Sequence, residues 1–469
     1  MAGKVANAIE KKIEKAAQRC INAACGARYG LRERIYVCPR CGETLEIDCQ
    51  LMRPSDPAAL RERWAATKAG PKLPREASGV WRFLDMLPFE DDAPFVTLFE
   101  GNTPLFRAPR SAKYCGLANL RLKHQGYNPT GSFKDTGMAA AITQAAISGA
   151  RTAVCASTGN TAASLAAYAA RADLQAAILL PRGQVSAAKL AQSLDYGALV
   201  LEIDGNFDDC MRLIQELGDD PAIYVANSIN PFRIEGQKTV AFELMEQCSW
   251  RVPDHVVVPG GNMGNSTALG KGFQELLDMG LIRRLPKLSV IQAEGAAPVA
   301  RLFANLSAAQ RNGEEELPEK LEAVENPKTL ATAIKIGAPV SWKKALRGVV
   351  RSGGQVIAVS EQEIADAKAM IGRDSIGCEP ASATTVAGIK KLAASGHIKQ
   401  GEDVVAVLTG HALKDPDYMS SYHRGTLGVA ADAKESAAPA KAIRGAFENA
   451  PERVAATKSA ILASLKQRQ

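Results

Sequence analysis

From about residue 118 onward, short β-leaning apolar runs alternate with Ala-rich or amphipathic stretches, and this rhythm limits the possible folds more than any other feature. The runs are Thr152–Ala156, Ala176–Leu180, Leu199–Asp204, Ile223–Ala226, His255–Val258, Leu288–Ala293, Gln355–Val359 and Val404–Leu408. Between them lie helical patterns such as Thr161–Arg171, Ser186–Leu194 and Glu235–Cys248. Strands that are apolar throughout, separated by helices, predict βαβ units and parallel sheets covered on both faces. The class is α/β. In such folds ligands bind beyond the carboxyl ends of the strands, in the strand-to-helix turns. A chain of 469 residues exceeds one core, so more than one domain is expected.

Charge and apolar content exclude several classes. Lys plus Arg is 57 and Asp plus Glu is 50, a net +7 spread without like-charge blocks, so nucleic acid is not an expected partner. No run of about 18 apolar residues occurs, so no membrane span is expected. The opening segment lacks the apolar core of a secretory leader, which points to the cytoplasm. Ten cysteines in that compartment read as thiols or metal ligands rather than disulfides. Val5, Ile9 and Ile13 give a short amphipathic helix, Trp64 and Trp81 are candidate core or docking anchors, and residues 430–469 read as a helical or partly disordered tail.

Four turns carry candidate chemistry. His255-Val-Val-Val-Pro-Gly-Gly-Asn-Met-Gly-Asn-Ser-Thr267 runs from a strand through Gly260, Gly261, Asn262, Met263, Gly264 and Asn265 into a helix. Glycines let successive N–H groups close round an anion, and the helix dipole adds to the attraction. A plain glycine-rich turn is the alternative. Cys155-Ala-Ser-Thr-Gly-Asn-Thr161 offers Ser157, Thr158 and Asn160 at another helix start; it suits a carboxylate or phenolate oxygen, or is an ordinary N-cap. Tyr127-Asn-Pro-Thr-Gly-Ser-Phe-Lys-Asp-Thr-Gly137 places Lys134 between breakers and a helix, where a lowered pKa would let it condense with an aldehyde; a surface lysine is the alternative. Val404-Val-Ala-Val-Leu-Thr-Gly-His-Ala-Leu-Lys-Asp415 ends a buried-type strand at Thr409, a hydroxyl for a ring nitrogen or a simple turn residue.

Together these segments, with Gly101-Asn-Thr-Pro-Leu105, Asn227-Ser-Ile-Asn-Pro-Phe-Arg-Ile-Glu-Gly-Gln237 and Glu379-Pro-Ala-Ser-Ala383, resemble the threonine synthases in order over about residues 97–425. Each motif alone is weak; the ordered set is specific. The resemblance implies a two-domain tryptophan synthase β-like fold (pyridoxal-phosphate fold type II), each domain an open, mostly parallel sheet covered by helices, with the cofactor in the cleft between. It implies a larger cofactor domain from 101–140 and 250–430, a smaller mobile domain from 141–249, an N-terminal segment 1–50 and a connecting region 51–100. Pyridoxal phosphate would meet Lys134, Asn160, Gly261 to Asn265 and Thr409. A hydroxyl rather than a carboxylate at the ring nitrogen would temper the electron sink. The implied reaction, last in threonine biosynthesis, takes O-phosphohomoserine and water to threonine and phosphate, with Lys134 as base. Ser157 and Thr158 would hold the substrate carboxylate; Thr161, Asn227, Ser228 and Arg233 would hold its phosphate. A homodimer is implied as well. A serine/threonine dehydratase or a β-replacing synthase of the same fold is the alternative, and the block containing Arg233 discriminates against it. A non-catalytic ribbon module on a degenerate fold is a third reading, disfavoured by Lys134.

Cys20-x4-Cys25-x12-Cys38-x2-Cys41 has zinc-ribbon character, and some threonine synthases carry a similar N-terminal ribbon. The x4 spacing in the first pair departs from the usual x2. One structural zinc on Cys20, Cys25, Cys38 and Cys41 is expected, with Cys49 as a spare ligand; metal-free thiols are the alternative. Cys115, Cys155, Cys210, Cys248 and Cys378 read as buried small apolar residues.

Overall fold

A computed structural model describes residues 16–51, 53–70, 72–183, 187–428 and 443–467. Thirteen strands form three sheets. β1 (Ala17–Cys20), β2 (Arg28–Tyr29) and β3 (Leu45–Asp48) make a small antiparallel sheet in the order β2-β1-β3. β4 (Leu105–Arg107), β5 (Leu120–His124), β10 (His255–Pro259), β11 (Lys287–Ala293), β12 (Val356–Val359) and β13 (Val404–Leu408) make a six-stranded sheet ordered β12-β11-β10-β13-β5-β4. All its pairings are parallel except that of the edge strand β4 with β5. β6 (Thr152–Ala156), β7 (Gln175–Pro181), β8 (Leu199–Ile203) and β9 (Ile223–Val225) make a parallel sheet ordered β8-β7-β6-β9.

The eight apolar runs are β6 to β13. For the central strands the composition follows from burial on both faces: every residue of β10 and β13 is buried, leaving no position for a polar side chain to face water, whereas the edge strand β8 leaves Leu199 and Leu201 exposed. β5 departs from that pattern. Its sequence, Leu-Arg-Leu-Lys-His, carries charge because each of its two cations finds an acid, Lys123 in the interior and Arg121 near the surface. Lys123 pairs with Glu243 and donates to the Thr103 carbonyl at 2.6 Å, and Arg121 pairs with Asp403 at 2.6 Å.

Helix contacts set the position of the site. The helices Lys134–Ile147 and Pro231–Gln247 approach so closely that a Cβ on Gly236 would lie 1.9 Å from the Thr136 carbonyl oxygen. Only glycine allows that approach, and it brings Arg233 alongside Lys134. Trp64 and Trp81 are both core residues. Trp64 packs edge-on to Phe83 at 5.0 Å and donates its indole N–H to Asp85 at 3.0 Å. The scattered cysteines 115, 155, 210, 248 and 378 are buried free thiols. The expected helix over Val5–Ile13 lies outside the described residues, as does much of the tail. The described part of the tail holds one helix, Lys458–Gln467.

Candidate active site

The four turns meet at one cleft. Phe133 N–H donates to the Thr409 carbonyl at 2.8 Å and His411 N–H to that of Gly131 at 2.9 Å, tying the turn before Lys134 to the end of β13. Lys134 is the first residue of its helix. Its ammonium lies 3.8 Å from the Phe133 ring centroid. Burial, reinforced by the nearby Arg233 and opposed by Glu379, pushes its pKa down to about 7.

At the end of β10, Met263 adopts φ +63°, a left-handed conformation that costs a non-glycine residue energy and persists where function holds it. The helix Gly264–Asp278 that follows has no side-chain cap, so its first amides remain available to an anion. Gly260 is tightly placed: a Cβ there would lie 2.7 Å from Val290 Cγ1, so a larger residue would force its neighbours to shift. The asparagines of this loop brace it. Asn262 accepts from Val340 N–H at 2.6 Å and donates to Ser228, while Asn265 donates to Gln125 at 3.1 Å.

The helix Asn160–Arg171 is likewise uncapped by a side chain at its start, where Ser157, Thr158 and Thr161 gather. Ser157 Oγ accepts from Gly159 N–H at 3.3 Å. Asn160 Nδ2 donates to Glu379 Oε2 at 2.9 Å, and Thr409 Oγ1 donates to Glu379 Oε1 at 3.1 Å. Glu379 therefore joins the two side chains assigned to one cofactor ring. In sequence its place just before Pro380 signals no more than a helix start. Burial pushes its carboxyl pKa up, and the hydrogen bonds from Asn160 and Thr409 pull the other way. Ser382 fixes Thr409 in turn, accepting from its N–H at 2.8 Å.

Arg233 is 3% exposed. One guanidinium nitrogen donates to the Ala226 carbonyl at 3.1 Å, Nε has no hydrogen-bond partner, and no carboxylate pairs with it among the described residues. Burial pushes its pKa down to about 10. A cation buried without an acid is costly, and that cost is removed when an anion arrives. Asn227 is placed differently from a free ligand. Its amide accepts from Ala156 N–H at 3.0 Å and donates to the Ala156 carbonyl at 3.1 Å, so it clamps the end of β6.

The desolvated amine of Lys134, the uncapped cradle at Gly261–Asn265 and the orphaned Arg233 fit a phosphorylated aldehyde cofactor and a second anion. Fold and site define an enzyme of the pyridoxal-phosphate class. The family model "Pyridoxal-phosphate dependent enzyme" matches residues 96–410, and the chain belongs to that family. Within it the chain falls among the threonine synthases. It is 45% identical to the threonine synthase of Methanocaldococcus jannaschii over 401 residues, 85% of this chain and 93% of that protein. It is 44% identical to that of Methanosarcina acetivorans over 399 residues, 85% and 92% of the two chains. The fold is shared with the processed form of threonine deaminase isoform 2 from Solanum lycopersicum, at a TM-score of 0.57 and 18% identity, covering 76% of this chain and 91% of that one.

Away from the cleft, Cys20, Cys25, Cys38 and Cys41 bring their sulfurs within 4.8 Å of one another. Cys20 and Cys41 are 3.4 Å apart and Cys25 and Cys38 3.7 Å, so the x4 spacing does not prevent a four-sulfur cluster. Cys49 is not a spare ligand for it. Its thiol donates to Glu235 at 3.2 Å, because the chain after β3 carries it under the helix Pro231–Gln247.

Proposed function

We propose that this threonine synthase converts O-phospho-L-homoserine and water to L-threonine and inorganic phosphate, by γ-elimination and addition of water at Cβ. Arg233 carries the proposal. A buried guanidinium with an unpaired Nε, beside Lys134, suits an anion that comes and goes with the substrate. An unphosphorylated hydroxy amino acid would leave that charge unanswered. Ser228 and Thr161 complete the phosphate side, and Asn227, by clamping Ala156, sets the floor on which they stand. Ser157 and Thr158, at the start of the helix Asn160–Arg171, suit the substrate carboxylate.

Held at Lys134, at the Gly261–Asn265 cradle and at Asn160 and Thr409, pyridoxal phosphate supplies an electron sink that acidifies the Cα and Cβ protons of an attached amino acid. Lys134, with a pKa of about 7, divides near neutral pH between base and acid and so can take a proton at one carbon and return it at the next. Arg233 receives the departing γ-phosphate. The four-stranded unit, within 141–249, is the part expected to move in closing the cleft over substrate.

The four cysteines are read as a structural zinc site, with no open position for catalysis. Ten unpaired thiols support a reducing, cytoplasmic setting. No described helix is long and apolar enough to cross a membrane. A homodimer follows from the resemblance and is tested by sedimentation. The reaction is tested by supplying O-phosphohomoserine and threonine separately, reading phosphate from the first and ketoacid from the second. Phosphate release with threonine formation is expected. Ketoacid from threonine without phosphate from the ester would instead mark a dehydratase.

A further inference from the structure

A cavity of about 430 Å3 lies where β3 meets the helices Gly264–Asp278 and Trp342–Ser352, and none of the residues assigned to the reaction lines it. Beneath it is a buried ionic cluster. Cys49, Glu235 and Glu275 hold their ligand atoms within 4.8 Å, yet the set is not a cation site. Lys238 bonds Glu235 at 2.6 Å and Glu275 at 2.8 Å, and Lys271 also pairs with Glu235, so both carboxylates are already neutralised.

The wall above is different. Lys344, Arg347 and Arg351 stand at i, i+3 and i+7 on one face of the helix Trp342–Ser352, and all three line the cavity. Lys344 is 8% exposed, yet among the described residues its ammonium makes a single hydrogen bond, to the Leu45 carbonyl at 2.9 Å, and no salt bridge with a carboxylate. Burial pushes its pKa down to about 8; Glu46 opposes the shift, and Lys271 and Arg347 add to it. The acid paired with Arg347 is Glu46, at 3.8 Å, and Glu46 is itself bonded to Arg19 at 2.6 Å. Arg351 pairs with no acid among the described residues. Of the other acids of the lining, Asp48 is paired with Arg28 at 3.0 Å, whereas Asp278, bonded at 2.8 Å to the neutral Gln274 amide, keeps its charge, and Arg19 adds a fourth cation. Four cations, Arg19, Lys344, Arg347 and Arg351, thus face two carboxylates, Glu46 and Asp278, which leaves room for about two negative charges. Leu51, Phe273 and Leu288 supply an apolar face for an organic body.

We propose that this cavity is a second, non-catalytic binding site for a phosphate group, gripped by Lys344, Arg347 and Arg351. Two guanidinium forks and one ammonium match the tetrahedral oxygens of a dianion better than a single carboxylate. The group is supplied by inorganic phosphate or by a phosphate monoester whose stem lies on the apolar face.

Equilibrium dialysis of the cofactor-loaded protein with labelled inorganic phosphate tests this, with Arg233→Gln and Arg347→Gln/Arg351→Gln as separate variants. Arg347 and Arg351 sit at the rim, so their loss leaves the core intact. Two phosphates per wild-type chain are expected. Arg233→Gln should keep the cavity phosphate, and the rim variant should weaken that one at least tenfold while leaving turnover kinetics unchanged. Phenyl phosphate binding the cavity more tightly than phosphate would assign the site to an ester, and the reverse order would assign it to the free ion. A rim variant with unchanged phosphate stoichiometry and affinity overturns the proposal. If Arg233→Gln alone changes nothing, the reading of the active site fails instead. Mass-spectrometric mapping of lysine acylation gives a second readout: phosphate should protect Lys344 in wild type. Equal labelling with and without phosphate would also overturn the site.

Discussion

Arg233→Gln should move activity and stability in opposite directions. The guanidinium is 3% exposed and its pKa is pushed from its ordinary 12.5 to about 10. For a base with a depressed folded-state pKa, the cost of keeping the charge is fully present below the folded value and is relieved only as pH rises toward the unfolded value. At neutral pH the whole cost therefore acts, about 3 kcal/mol at 1.36 kcal/mol per pKa unit. Against it stands the one hydrogen bond to the Ala226 carbonyl, about 1 kcal/mol. Removing the charge should therefore stabilise the cofactor-free protein by about 2 kcal/mol, a rise in Tm of roughly 2–4 °C for a chain this long. The same change removes a charge-assisted contact to the substrate phosphate. At about 2–4 kcal/mol, kcat/KM for O-phosphohomoserine should fall roughly 30- to 1000-fold. The assays are phosphate release under kcat/KM conditions and differential scanning fluorimetry of the cofactor-free protein in phosphate-free buffer. A variant that melts several degrees lower while keeping kcat/KM within threefold would refute the assignment, since Arg233 would then be a structural residue.

Five further outcomes follow from the same geometry. With Lys134 pushed down to about 7, its free amine is present above that pH, so the rate of recombination with pyridoxal phosphate should rise through about pH 7 and then level off; a rate still climbing at pH 9 would contradict the lowered pKa. Lys134→Ala should remove both the visible absorbance of the purified protein and its activity. In Gly410→Ala the new Cβ would lie 2.4 Å from the Glu379 carboxyl carbon, and about 1–3 kcal/mol of overpacking should loosen cofactor binding roughly tenfold in an absorbance titration. Metal analysis of freshly reduced protein should return one zinc per chain, and Cys41→Ser should lower both zinc content and Tm; zinc-free protein of full stability would exclude the site. Tyr36→Phe removes the hydroxyl that accepts from Val225 N–H at 2.8 Å, where the N-terminal segment caps the edge of the four-stranded sheet, and should cost about 1 kcal/mol in a denaturant titration.

Which parts of the molecule can be read from sequence depends on where the physics is local. A strand buried on both faces has no polar position, so β6, β7, β10, β11 and β13 stand out as apolar runs, while the edge strand β8 is apolar although Leu199 and Leu201 are exposed; the turns that follow must give up their amides to something, so Gly260–Asn265 and Ser157–Thr161 mark themselves by composition. β5 escapes this pattern because Lys123 and Arg121 are neutralised by Glu243 and Asp403, residues 120 and 282 positions away. The same distinction divides the site. The glycine cradle takes its character from its own backbone, and Lys134 its place from the turn before it, although its lowered pKa comes from burial and from Arg233, 99 positions away. Glu379 takes its character from Asn160 and Thr409, 219 and 30 positions off, and nothing in Glu-Pro-Ala-Ser announces it. Asn227 shows the converse: by composition it is a polar ligand beside Ser228, but the fold gives both ends of its amide to Ala156. Lys344, Arg347 and Arg351 read as a solvated helix face, and they become a cavity wall only because β3, drawn from the far N-terminal end of the chain, is laid across them. Long-range packing turns an ordinary basic stripe into three cations with too few acids, and it is that shortage, rather than any motif, that makes the wall a place for an anion.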